Sequence, residues 1–424
     1  MTASAEGGAN PIQNDDESFF PVSPENLSEA TRGLPLLLRP LVRIVSRFPV
    51  GTLNVILPDG RRLGFRGAAP GPHGEMIIRD PIFVRRLIIG GDLGFAEGYM
   101  RGEWESSDLT QLMLFLAANH RVGAKLTPGR AAMRIWQRLR HFLNRNSRTG
   151  ARRNIHAHYD LGNAFYETWL DRSMTYSSAV FAAGDNDLES AQRRKYETLA
   201  RATGIEPNDH VLEIGCGWGG FAQYAATEIG CKVTGLTISQ EQYDYACERV
   251  RRAGLEDRVS IVMRDYRDET GTYDRIVSIE MFEAVGEAYW RTFFDTMRDR
   301  LRAGGRAGLQ LITIREEAFA GYRREIDFIR RYIFPGGMLP PPSALTGLSA
   351  QTGFGIVSDK GFAADYASTL AIWRDRFDEA WPKIAQLGFD ERFRKLWRYY
   401  LTYCEVGFAT RNIDVRQMVF AKPA

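Results

Sequence analysis

From about residue 205 onward, short apolar runs alternate with longer stretches whose apolar residues recur every three or four positions. The runs at 211–214, 232–236, 259–263, 275–279 and 306–313 are rich in Val, Ile and Leu and too short for helices. Between them, 240–252 carries helical periodicity. Strands covered by helices on both faces lose the polar alternation of half-exposed strands. The pattern therefore predicts an α/β fold with a doubly wound, mostly parallel sheet.

The first part of the chain reads differently. "GTLNVILPDGRRLGFRG" alternates apolar and polar residues about Pro58, Asp59 and Gly60, which predicts a hairpin. "DPIFVRRLIIGGDLGFAEGYMRGEWESSDLTQLMLFLAAN" reads as helices broken at Gly. Residues 34–120 are thus expected to form a small α+β domain. Residues 1–33, rich in Ser, Asn, Gly and acid, are expected to be a mobile tail.

Composition adds little to this picture, but charge placement adds more. The chain has 424 residues, 44% apolar and 25% charged, with a net charge of +3. That is enough chain for two or three globular domains. Cys216, Cys231, Cys247 and Cys404 show no metal or disulfide spacing. With no signal peptide read and no apolar run of spanning length, a cytoplasmic protein is expected. The longest candidate run, "LPLLLRPLVRIVSRF", is cut by Arg39, Arg43 and Arg47. Residues 121–153, however, hold ten Arg or Lys and no Asp or Glu. There, Ile135, Trp136, Leu139, Phe142 and Leu143 share one helical face, while Arg134, Arg138, His141 and Arg145 line another. Such a linker helix either lies on an anionic membrane surface or packs against its own protein. Nothing resembles a module that reads nucleic acid bases.

The candidate chemistry centres on "DHVLEIGCGWGGFAQYAA", a glycine turn between the first strand and a helix. Gly215, Gly217 and Gly220 satisfy G-x-G-x-x-G, which admits a dinucleotide. Two features point elsewhere. Glu213 stands where a carboxylate can meet the amino group of an amino-acid moiety. The next strand ends in "GLTISQEQ", with Thr237, Ser239 and Gln242 in place of a ribose-binding acid. Ser239 and Gln242 also form a helix capping box. Asp265, after the third strand, stands where it can read an adenine amino group or can serve as a turn residue. The set points to S-adenosylmethionine.

"HYDLGNAFY", "MTYSSAVF", "VLEIGCGWGG", "GLTISQEQ", "DYRD", "SIEMFEAVG", "YIFPGGMLP" and "ADYASTLAIW" occur in order. With them, the chain resembles the cyclopropane-fatty-acid synthase family, which includes the mycolic acid cyclopropane synthases. The resemblance implies a Rossmann-like class I methyltransferase domain over 154–424, with a seven-stranded sheet and a lid insertion at about 315–360. It implies methyl transfer to the double bond of an unsaturated phospholipid acyl chain. A carbocation follows, and a bound bicarbonate removes a proton from it. The donor site it implies takes Tyr176, Ser177, Val211, Glu213, Gly215, Cys216, Gly217, Gly219, Thr237, Gln242, Asp265 and Tyr266. Glu283, Tyr366 and the backbone at Ser178 and Ile314 are implied to hold the bicarbonate, and Cys404 matches a cysteine assigned to the active site. The expected setting is the inner face of an anionic membrane, with a homodimer possible.

Two departures bear on the product. Ser178 stands where the family commonly has Cys, and Ile312 where it has His. Without that imidazole the bicarbonate loses a partner, worth about 1–3 kcal/mol. Gln310 is a candidate replacement. Otherwise the carbocation is left to other routes, giving a methylene or methyl branch, or the chain is a non-catalytic lipid-binding relative. Glu280 and Glu283 read either as an acid–base pair or, for Glu280, as a helix cap. His156 and His158 are a weak metal pair. Phe165, Tyr166, Trp169, Phe334 and Met338 are candidates for an acyl tunnel or for plain core.

Overall fold

The computed structural model describes residues 19–126, 161–184 and 187–424. The basic segment from 127 onward, with His156 and His158, lies outside the described residues, as do residues 1–18. The described residues form two compact units. One runs up to Ile88 and resumes at Arg101; the other takes Ile89–Met100 and everything from residue 161.

The first unit carries a five-stranded sheet. Its strands are β1 (Phe20–Val22), β2 (Val50–Ile56), β3 (Arg62–Arg66), β4 (Ala69–Ile78) and β5 (Trp104–Glu105), in the order β1-β3-β2-β4-β5. The hairpin expected at Pro58 is the antiparallel β2–β3 pair, with Val55 opposite Leu63. Alternate residues Leu53, Val55, Leu63 and Phe65 are buried. Helices α1 (Leu27–Ala30), α2 (Leu38–Val45), α3 (Ile82–Gly90) and α5 (Leu109–Leu126) accompany it, while α4 (Asp92–Met100) follows α3 along the chain. The α5 helix lies on β2 and β4, burying Leu112 and Phe115. Two expectations change here. The stretch read as a tail contains β1, which pairs in parallel with β3. The domain read as 34–120 gives up Ile89–Met100 to the second unit, where α4 packs on the last helix of the chain.

The second unit is the α/β domain. Its strands β6 (His210–Ile214), β7 (Lys232–Thr237), β8 (Val259–Met263), β9 (Tyr273–Ile279) and β10 (Leu301–Ile314) coincide with the five apolar runs. They are joined by β11 (Gly355–Gly361) and β12 (Ile413–Ala421) in the order β11-β12-β10-β9-β6-β7-β8. Helices α6 (Asn163–Glu167), α7 (Leu188–Thr203), α8 (Gly220–Tyr224), α9 (Gln240–Arg252), α10 (Trp290–Arg300), α11 (Glu316–Tyr322), α12 (Pro342–Thr352), α13 (Ala363–Gln386) and α14 (Glu391–Ala409) complete it. Strands β6 to β10 pair in parallel; β12 runs antiparallel to β10 and β11. Adjacent residues serve opposite faces, as pleating requires. Val211 and Val277 enter one core cluster with Phe221 and Leu199; Leu212 and Ile276 enter the other with Phe293 and Met297. The insertion expected at 315–360 is only partly a covering loop, because β11 begins at Gly355 and is an edge strand of the sheet.

Candidate active site

Strand order reverses at β6, which pairs with β7 on one side and β9 on the other. The connections from β6 and β9 leave toward opposite faces, opening a crevice at the carboxyl ends of the strands. The glycine turn leaves β6 there. Gly215 has φ +83°, and a Cβ on it would lie 2.7 Å from Met281 Cγ. Gly219, at φ +80°, opens α8 with only 3.1 Å to spare against Ala246 Cβ. The backbone is thus held close by both neighbours. At Gly217 nothing lies within 4 Å of the missing Cβ, which leaves room for a ligand against the main chain.

Glu213 is buried at the end of β6, and its Oε2 has no hydrogen-bond partner. Burial pushes its pKa well above the carboxylate range, against the pull of Lys195. An orphaned buried carboxylate costs stability unless a ligand completes it. The amino group of S-adenosylmethionine meets that need, so the residues present fit this donor. Val211 and Cys216 are buried beneath the turn, and the Cys216 N–H joins the Leu236 carbonyl at 2.8 Å. Thr237 Oγ1 donates to Gln242 Oε1 at 3.1 Å, and Ser239 caps α9 by accepting from the Gln242 N–H. Asp265 accepts from the Arg267 backbone and guanidinium, and the Tyr266 ring packs edge-on against Phe293.

One residue beyond β9, Glu280 adopts φ +49°, a left-handed conformation that is rare for a side chain of this kind. Three donors meet its carboxylate. Oε1 accepts from the Ser178 N–H at 2.8 Å and Gln310 Nε2 at 2.9 Å; Oε2 accepts from the Tyr366 hydroxyl at 2.6 Å. Burial raises the Glu280 pKa, while these three donors and Lys195 pull it back toward the ionised form. Burial also drives the Tyr366 hydroxyl well up, so it remains a donor.

This arrangement corrects the expected bicarbonate cage. Ser178 and Tyr366 do converge, but on the Glu280 carboxylate. The Ile314 N–H is committed to the Pro340 carbonyl at 3.1 Å. Glu283 accepts from the Ile312 N–H, and its Oε2 has no hydrogen-bond partner. Burial first, and then the Glu280 charge, raise the Glu283 pKa to about 8. Glu280 therefore does not cap a helix; its left-handed backbone swings it across the sheet end into the cage.

Tyr176 and Ser177 meet other partners within the protein. The Tyr176 hydroxyl lies 2.6 Å from that of Tyr400, and Ser177 Oγ accepts from Lys195 Nζ at 2.6 Å. Lys195 is fully buried over the Tyr196 ring, and burial lowers its pKa to about 7. Neither Lys195 nor its partner Gln192 was singled out from the sequence. The available signal was their place on the α7 face that also buries Leu188, Ala191 and Leu199. Gln310 passes its own carbonyl oxygen to Gln417 Nε2 at 3.1 Å, extending the chain of bonds to β12. Cys404, on α14, has its thiol pKa raised by burial and is not poised as a base. Phe165, Tyr166 and Trp169 are buried in one aromatic cluster with Trp373, Phe377 and Trp397. Met338 is buried instead in the core cluster of Phe282 and Phe293; its N–H donates to the Glu283 carbonyl at 2.9 Å, fixing the "FPGG" loop at the strand ends. Phe334 stands 6.4 Å from the Tyr400 ring. Among the described residues no cluster of ligating side chains for a metal occurs.

The chain is similar to known proteins over most of its length. The family model "Mycolic acid cyclopropane synthetase" matches residues 146–418. The chain is similar to a tuberculostearic acid methyltransferase of Mycobacterium tuberculosis, 38% identical over 86% of each chain. It is also similar to the cyclopropane-fatty-acyl-phospholipid synthase of Escherichia coli, 35% identical over 85% of this chain and 90% of that one. Among solved structures, it resembles a mycolic acid cyclopropane synthase complexed with SAH and CTAB, with a TM-score of 0.61 and 29% identity. That likeness covers 64% of this chain and 98% of the other.

Proposed function

The chain belongs to the mycolic acid cyclopropane synthetase family of S-adenosylmethionine-dependent methyltransferases, which act on lipids, and from that premise we propose its substrate. The acceptor is the double bond of an unsaturated acyl chain in a phospholipid. The observation that carries this reading is the placement of a donor cradle and a pair of half-buried carboxyl groups, Glu280 and Glu283, at the carboxyl ends of β6 and β9. The bound donor supplies an electrophilic methyl group. Glu213 would hold its amino group, and the turn from Gly215 to Gly219 would lie along it. Burial keeps the Cys216 and Cys404 thiols protonated, so neither competes for the methyl group. An alkene is a weak nucleophile and gains from alignment in a site that excludes water.

The lipid arrives at a membrane surface. No helix among the described residues is long and apolar enough to cross a bilayer. Arg134, Arg138 and Arg145, in a segment of ten basic and no acidic residues, are suited to anionic headgroups. Reversing those three charges should abolish sedimentation with phosphatidylglycerol vesicles; unchanged sedimentation removes the membrane role from this segment.

Methylation without ring closure is favoured by one observation: the expected bicarbonate donors Ser178 and Tyr366 are engaged by Glu280. One relative is likewise named for methyl transfer and not for a cyclopropane. The test is mass spectrometry of unsaturated phosphatidylglycerol after incubation with protein and donor, before and after catalytic hydrogenation. A methylene or branched alkene takes up hydrogen and a ring resists. No methylated lipid of any kind refutes the proposal.

A further inference from the structure

Glu280 combines features that ordinary packing does not explain. It is a half-buried carboxylate that ends a strand at the active-site crevice, and its side chain caps no helix. Its backbone holds φ +49°, a strain that persists where surrounding contacts impose it. Those contacts are explicit. The Glu280 N–H donates to the Gln310 carbonyl at 2.7 Å, and the side chain receives the Ser178 N–H, Gln310 Nε2 and the Tyr366 hydroxyl. Three donors bond to it, which is the environment of an anion. A carboxylate offers about four lone-pair positions. Oε1 uses two and Oε2 uses one in these bonds, leaving one direction on Oε2 unfilled.

We infer that Glu280 is the base of the reaction: its own carboxylate, and not a captured small anion, receives the proton released after methyl transfer. The inference rests on the alkene-methylation reading above. In the step, the alkene π pair forms a bond to the methyl carbon while the carbon–sulfur bond breaks with its pair on sulfur. The neighbouring alkene carbon is left cationic. The pair of a C–H bond on the new methyl then closes a ring, or, after a hydride shift has moved the cation beside that methyl, a methylene double bond. The freed proton passes to Oε2 of Glu280, which becomes a neutral acid and returns the proton to solvent when product leaves. Tyr366 and Gln310 are positioning residues that hold the carboxylate.

The charged and titratable groups facing Glu280 agree with this division of labour. Lys195 on α7 supports its negative charge, whereas Glu283 has only backbone donors and retains its proton near neutral pH. Two carboxyl groups whose surroundings push them apart in this way take separate roles.

The test uses the full-length protein with Glu280→Gln and Glu280→Gly, the second of which relieves the backbone strain and opens a cavity. Donor binding by calorimetry should stay within about threefold of wild type in both. Turnover on unsaturated phosphatidylglycerol vesicles should fall about 10²–10⁴-fold in Glu280→Gln. Wild-type turnover should not change in buffer stripped of bicarbonate. Glu280→Gly should bind formate, read by calorimetry without lipid, and should regain at least tenfold activity with it; wild type should bind none. Glu280→Gln turning over within threefold of wild type, formate binding equally to wild type, or wild-type activity that depends on added bicarbonate each overturns the base assignment alone. A wild type that binds donor but methylates no unsaturated lipid overturns the substrate reading and the base assignment together.

Discussion

The hydroxyl of Tyr366 donates to Oε2 of Glu280 at 2.6 Å, tying α13 to the end of β9 across 86 residues of chain. Tyr366 is itself held by its ring, stacked on Phe408 with centroids 4.3 Å apart. Removing the hydroxyl therefore leaves the ring's packing in place. A lost donor to an ionised carboxylate raises its pKa. In Tyr366→Phe, the acid limb of the pH–rate profile should move to higher pH, and kcat should drop about tenfold with donor affinity unchanged. Lys195 and Glu283 face the same carboxylate, so the shift should be reproduced neither by Cys404→Ala nor by any variant remote from this group.

Glu213→Gln should separate binding from stability. The donor's amino group loses a charge-assisted bond worth about 1.5–3 kcal/mol, so its affinity should weaken on the order of 10–100-fold by calorimetry. The apo protein should be no less stable at pH 7, because an orphaned buried carboxylate becomes a neutral amide.

Gly215→Ala places a methyl group 2.7 Å from Met281 Cγ at a φ of +83°. A loss of about 1–3 kcal/mol is expected in urea unfolding, together with loss of donor binding.

Glu283 should leave a signature in the pH dependence of stability. Its pKa is about 8 in the folded protein against an ordinary 4.5, so the folded state holds a proton that the unfolded chain releases. Stability should fall as pH rises between those values, approaching about 1.4 kcal/mol per pH unit within the window. Lys195, lowered to about 7 from 10.5, acts in the opposite sense and only above 7. Urea unfolding of Glu283→Gln at pH 5 to 7 should therefore show a slope shallower than wild type by about 1.4 kcal/mol per pH unit, the remainder belonging to other raised carboxyl groups such as Glu213.

The five parallel strands were legible in the chain itself, because a strand buried on both faces must be apolar at nearly every position. The glycine turn was legible for a similar reason: close approach of backbones admits no side chain at Gly215. The antiparallel closure by β11 and β12 was not. Gly355–Gly361 is mostly exposed and polar, and its strand state comes from its pairing with β12. The donor half of the site could be read because its parts follow one another along β6 and the turn after it. The carboxylate half could not. Glu280 next to a strand end has the look of a cap, and only the folded chain brings it Ser178 from 102 residues away, Gln310 from 30 and Tyr366 from 86. Local spacing determines which backbone conformations are open. Which buried charge receives which donor depends on contacts between distant segments, and these exist only once the sheet has assembled.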